Sequence, residues 1–290
     1  MDDRPGAARE LWTLLEPVHA VVYFSPEPLE ALREAGCRGF WMGYFANRAA
    51  PLGPAGAELV HALFYNFSHD RVARALPSAW ELTSPQAALA AREHGSVAAL
   101  RRHLGTAADG PEVERAGALA SRAAAAAPLE GRALYAANRR LPEPDEPVAR
   151  LWHAATLLRE HRGEGHIAAL MAAGIGGRES HVFHALATGS PREVYTVARD
   201  FGDEEWGGHI AALRDRGLAL DGGLTDAGRA LKAEVERRTD ALAAPAYAVL
   251  SDAELAELTH LLRPIARAVV QAGDLPLDSP MGLDLRTLIA

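Results

Sequence analysis

Cysteine is nearly missing from this chain of 290 residues: Cys37 stands alone. One thiol excludes an internal disulfide and any thiolate-rich zinc or iron–sulfur site. Lysine is as scarce, Lys232 being the only one among 30 basic residues, so the positive charge is carried by arginine. Bases are outnumbered by 38 acids, a formal charge of −8, which works against a wide nucleic-acid footprint. Long apolar runs are missing too. No window reaches the roughly 18 continuous apolar residues of a membrane helix. The opening MDDRPGAARELW is acidic and has no apolar signal core, so a cytoplasmic location with no membrane partner is expected. No phosphate-binding loop, dinucleotide glycine fingerprint or serine elbow occurs, and GIGGRES reads as a helix-ending turn with no strand before it. No cofactor is named by any motif.

What is present is an apolar fraction of 49% and a length sufficient for one large domain or two ordinary ones. The chain also repeats itself. Trp12 corresponds to Trp152, Ala31-Leu32 to Ala169-Leu170, and Ala35-Gly36-x-x-Gly39 to Ala173-Gly174-x-x-Gly177. Phe45 falls on Phe183 in the same register, and VARALPSAW (72–80) meets VARDFGDEEW (197–206). Tryptophans and glycine pairs recurring in order indicate an internal duplication. Its boundary is RRLPEPDEPVAR, where prolines and acids break any regular element. The expected organisation is a first half over 1–138, a linker over 139–150 and a second half over 151–290.

Helical signals dominate both halves. Ser25 precedes a run with early prolines and a closing glycine, and Ser251 with Glu254 makes a capping box ahead of leucines at helical spacing. The clearest strand signal is GLALDGGLTDAG, where Leu218 and Leu220 lie before an Asp-Gly-Gly turn and Leu224 after it. Helix, turn, helix, hairpin and long helix follow the order of a winged helix-turn-helix. The run RDRGLALDGGLTDAGRAL with LSDAELAELTHLLRPI resembles the C-terminal part of MarR-type winged-helix regulators, over about 200–270. Through FSPEPLEALREAG, FYNFSHDRVARALPSAW and LLREHRGEGHIAAL the whole chain is similar to an actinobacterial SalK-like helix-turn-helix family. That resemblance implies a fold and no residue-level activity. The expected class is therefore mainly α, with duplicated winged helix-turn-helix-like halves and a short β-hairpin wing. MarR-type proteins pair through terminal helices; two halves in one chain satisfy that pairing internally, which implies a monomer or weak dimer.

DNA binding is possible on this fold but disfavoured by its chemistry. The candidate recognition helix begins Asp203-Glu204-Glu205, and its cations, Arg214 and Arg216, come only at its end. Acids there suit the helix dipole but repel phosphate. The wing tip LDGG offers no arginine or lysine.

The chemistry-bearing residues gather in the first half. Read as a helix over 57–75, the chain sets His61, Tyr65 and His69 four apart on one side, near Phe64 and Phe67. An imidazole against an apolar wall can transfer a proton or fix a polar ligand; the core reading, hydrogen-bonded histidines among packed rings, carries equal weight. GFWMGYFANRAAPLG adds Trp41, Tyr44, Asn47 and Arg48. The expected site is a pocket lined by Trp41, Tyr44, Asn47, Arg48, Tyr65, Asn66 and His69, taking a small aromatic or apolar ligand with a polar group. Arg48 can pair with a ligand carboxylate or close an internal pair with Glu58 or Asp70. Three alternatives stay open: a ligand-responsive regulator binding DNA, an enzyme using His69 with Tyr65 for acid–base chemistry, and a haem or metal protein whose first ligands are His181 and His184.

Overall fold

Alanine, leucine and arginine are strong helix formers, and the fold follows from them. The computed structural model describes residues 4–289, and among these fourteen α-helices accompany one two-stranded sheet. Helices α1 (Arg4–Phe24), α2 (Pro26–Glu34) and α3 (Gly39–Ala49) lead to α4 (Ala57–Phe64), α5 (His69–Leu82) and α6 (Pro85–Leu104). Then come α7 (Pro111–Ala126), α8 (Ala133–Arg139), α9 (Pro147–Ala172) and α10 (Gly177–Thr188). After α11 (Arg192–Arg199) and α12 (Asp203–Asp215), strands β1 (Ala219–Leu220) and β2 (Gly223–Leu224) pair antiparallel, with Ala219 opposite Leu224. Helices α13 (Asp226–Ala243) and α14 (Asp252–Gln271) complete the order. Among the described residues, no helix is long and apolar enough to cross a membrane.

Local signals act where the sequence places them. Ser251 and Glu254 bond reciprocally, with Glu254 N–H donating to Ser251 Oγ at 3.2 Å and Ser251 N–H to Glu254 Oε2 at 2.9 Å. Ser25 sits at the start of α2 but makes no such bond; Pro28 at the third helical position has no N–H, which removes one of the two donors a cap can use. In the hairpin the paired residues Ala219 and Leu224 are buried and the intervening Leu220 is exposed, as the alternation of a two-sided ribbon requires.

Helices α2 and α9 end alike. Cys37 N–H donates to Leu32 O at 2.9 Å and Ile175 N–H to Leu170 O at 3.0 Å. Gly36 (φ +105°) and Gly174 (φ +68°) supply the left-handed residue between them. Helices α3 and α10 then begin at the matching glycines, Gly39 and Gly177. Beyond this point the halves diverge: residues 72–74 lie in the first turns of α5, whereas 197–199 close α11. The only hairpin among the described residues is in the second half; in the first, a 3₁₀ turn at Gly105–Asp109 joins α6 to α7. Residues 140–146 hold no helix, yet the largest apolar core draws on α1 and α7 from one side of that break and α9 and α14 from the other.

One expected element is corrected. No helix runs through 57–75: α4 stops at Phe64, and α5 starts at His69, capped by Ser68 Oγ accepting from Arg71 N–H at 3.4 Å. The break is Tyr65, with φ 58° and ψ −56°, spanned by Asn66 N–H donating to Phe64 O at 2.6 Å. This is a γ-turn of the rare, strained hand, so His61, Tyr65 and His69 do not share one helical side. What holds it is the other half. Tyr65 Oη donates to Ile175 O at 2.5 Å, and a Cβ on Gly177 would stand 1.9 Å from Tyr65 O. Only a bare α-carbon admits the turn at the start of α10. Gly177→Ala is expected to lower stability by about 1–3 kcal/mol through overpacking. Gly207→Ala, on exposed α12 with nothing within 4 Å, is expected to be neutral or stabilising by up to about 1 kcal/mol. Urea unfolding of both variants checks the contrast, and equal midpoints would contradict it.

Candidate functional site

A cavity of about 830 Å³ lies between α1, α3 and the turn at 64–67 on one side and α9, α10, α11 and α13 on the other. The segment 276–282, beyond α14, crosses its edge. Its floor is ionic. Glu160, on α9, accepts from Arg48 Nε at 2.9 Å and Nη2 at 3.0 Å, the two-bond geometry of the strongest arginine–carboxylate pairs. Arg159 Nη1 donates to the same carboxylate at 2.9 Å, and its Nε reaches Glu16 of α1 at 3.4 Å. Burial alone would raise the Glu160 carboxyl, but the charges of Arg159 and Arg48 outweigh it and hold the group well below the usual carboxylate range. Beside this network, buried His19 bonds Thr156 Oγ1 at 2.9 Å and Tyr23 Oη at 3.0 Å.

One wall is aromatic. Tyr44 lies 4.8 Å from Tyr23 and 5.4 Å from Phe67 between ring centroids, and Trp41 lies 6.0 Å from Phe67. Facing that wall is Arg199, the last residue of α11. Its guanidinium stands 4.3 Å over the Phe67 ring, donates from Nε to His181 Nε2 at 3.2 Å and from Nη1 to Ala198 O at 3.0 Å. Burial lowers its pKa to about 10; Tyr44 opposes that shift, and Arg48, Arg71 and Arg159 add to it. At the far end His166 and His184 are both lowered to about 4, burial being the main cause.

Of the expected site residues, Trp41, Tyr44, Arg48, Tyr65 and Asn66 line this cavity. Asn47 does not: it is buried behind α3, its Nδ2 donating to Gly43 O at 2.8 Å. His69 lies outside as well, partly exposed, 3.9 Å from Glu58 and 3.8 Å from Asp70, with its ring edge-on to His61 at 5.6 Å. Arg48 closes an internal pair, but with Glu160 rather than Glu58 or Asp70. His181 Nε2 accepts from Arg199 Nε, so that ring nitrogen is engaged within the protein. Among the described residues no group of three or more His, Cys, Asp or Glu could hold a metal ion. Arg199, Arg159 and Glu160 were not singled out in the sequence. The one available signal was the repeated Val-Ala-Arg triplet containing Arg199, which reads equally as shared packing.

The segment α11–α12 shows the charge the sequence implied. Asp203, Glu204 and Glu205 are exposed at the start of α12. The nearby cations are taken: Arg178 by Glu205 at 2.7 Å, Arg216 by Glu179 at 3.1 Å, Arg192 by Asp203 and Arg214 by Asp221 of the hairpin turn.

A family model described as a helix-turn-helix family matches residues 8–276. No curated protein and no solved structure matches the chain.

The buried imidazoles have a measurable consequence. His153 is lowered to about 4 and His161 to about 3, in each case chiefly by burial and then by neighbouring arginines. Their folded pKa values lie below the unfolded value of about 6.5, so both stay neutral while the unfolded chain takes up protons. Their contribution is complete above about pH 6.5 and is lost as pH falls toward 4. The expected loss between pH 7 and pH 5 is about 2 kcal/mol per histidine. Urea midpoints at pH 7, 6 and 5 check this; a flat profile would contradict the burial of these rings.

Proposed function

The chain belongs to this helix-turn-helix family, and from that premise we propose a cytoplasmic small-molecule-binding protein in which the helix-turn-helix serves as scaffold. The cavity between the halves is the binding site. One observation carries the reading: a concave space of about 830 Å³ with an aromatic wall, above a floor whose charges are already matched. That volume lies in the range of ordinary ligand pockets, about 300–1,000 Å³. Ligand contact is assigned to Trp41, Tyr44, Tyr65 and Asn66, with Arg48 fixing the floor.

The order α9 to α14, with a hairpin after α12, supports a MarR-type second half within a SalK-like chain. The repeated helix ends at Gly36 and Gly174 support a duplication of 1–138 in 151–290. Helix α1 packs against both α13 and α14, which supports terminal-helix pairing inside one chain and a monomer or weak dimer. Family membership favours the second reading, a DNA-binding regulator; the acidic, internally paired face of α12 weighs against it. Catalysis by His69 and metal binding by His181 with His184 gain no support, since His69 stands outside the cavity and His181 Nε2 is taken by Arg199.

N-phenyl-1-naphthylamine, a neutral aromatic that fluoresces on leaving water, tests the proposal. One-to-one saturable binding is expected, weakened by Ala198→Trp, which intrudes into the cavity. Random-sequence duplex DNA is expected to give no change in fluorescence anisotropy at micromolar protein and low salt. Tight salt-dependent DNA binding, with no effect of Ala198→Trp on the dye, would overturn the reading.

A further inference from the structure

Six lysine and arginine side chains line the cavity: Arg9, Arg48, Arg159, Arg162, Arg199 and Lys232. Five of them are matched. Arg48 and Arg159 share Glu160, Arg9 and Arg162 share Asp240, and Lys232 pairs with Glu236. Arg199 has no carboxylate among the described residues. Its partners are a neutral imidazole nitrogen, its neighbour's carbonyl and the face of Phe67, and Nη2 is given none. A charge removed from bulk water without a counter-charge is destabilising. Here the burden is heavier, because Arg48, Arg71 and Arg159 act on Arg199 with the same sign. No carboxylate among the described residues answers this cation, yet three contacts hold its plane fixed at the cavity wall.

Resting on the cavity as the binding site, we infer that its ligand is an aromatic monoanion, whose carboxylate or sulfonate accepts from the Arg199 guanidinium while its rings lie against Tyr44 and Trp41. The placement follows from continuity of the surface. Phe67, under the Arg199 guanidinium, is 5.4 Å from Tyr44 and 6.0 Å from Trp41, so anion and ring subsites adjoin. One negative charge is specified because one lining arginine lacks a carboxylate. A body larger than a single ring is specified because the space is about 830 Å³. Neutral His181 completes the subsite: accepting from Arg199 Nε, it aims the remaining guanidinium N–H groups without adding a charge. The sequence left Arg48 either a ligand carboxylate or an internal pair; Arg48 is consumed by Glu160, so the proposal gives the ligand's anion to Arg199.

A matched pair of probes tests this on the full chain. 8-Anilinonaphthalene-1-sulfonate and N-phenyl-1-naphthylamine share a ring frame and differ in the anion. The sulfonate is expected to bind at least about tenfold more tightly, the usual effect of a charge-assisted hydrogen bond. Arg199→Gln is expected to erase that preference, the sulfonate losing at least about tenfold more affinity than the neutral probe, and Arg199→Lys to retain part of it. Thermal melting of both variants establishes that they fold, and Ala198→Trp establishes that both probes report the cavity. If the neutral probe binds and the sulfonate gains nothing, or keeps its gain in Arg199→Gln, the anion inference falls and the cavity reading stands. If neither probe responds to Ala198→Trp, both fall together.

Discussion

Glu160 fixes the geometry on which the rest of this molecule depends. It lies within α9, buried, with a guanidinium from α3 on one side and one from its own helix on the other. Arg159 carries the connection on to Glu16 of α1. Helices from both parts of the chain are thereby tied through charged side chains that must stay together, since removing one partner of such a buried pair costs about 3–5 kcal/mol. The same network explains why there is a cavity. Long polar side chains with fixed hydrogen-bond geometry occupy the place where apolar residues would otherwise pack flush. Charges that satisfy each other at the floor leave the remaining wall free to be aromatic.

Local chemistry was legible in the sequence, and distant chemistry was not. The capping box at Ser251, the hairpin around Asp221-Gly222 and the glycine-ended helices at Gly36 and Gly174 need only neighbouring residues, and each stands where its signal lies. The turn at Tyr65 has no such signal. A non-glycine residue at φ 58° is unfavourable by itself and exists here because Ile175 O and the bare Gly177 receive it. For Arg48 the sequence offered Glu58 and Asp70 as internal partners; the actual one is 112 positions away. Arg199 was hidden by the repeat itself. Its counterpart, Arg74, is an exposed surface residue bonded to Asp200 at 2.6 Å, so the shared triplet marks two different environments.

Family and surface chemistry give different information about this chain. The helix-turn-helix family match concerns architecture, and architecture alone does not carry function. At α12 the side chains that would meet phosphate are acids, and the arginines nearby are bonded to acids. The chemistry lies instead at the end of α11. Arg199 faces the cavity, and the next residue, Asp200, has φ 61° and holds Arg71 at 2.8 Å and Arg74 at 2.6 Å. The residue assigned to the ligand is therefore the last before the turn into α12.

The most direct measurement is a crystal structure of the protein grown with 6-bromo-2-naphthoate, with data collected at the bromine absorption edge. The account requires an anomalous peak inside the cavity beside Trp41 and Tyr44, with the carboxylate about 2.7–3.2 Å from Arg199 Nη2. A bromine peak confined to the outer surface, with Arg199 bonded only to protein and water, would contradict it.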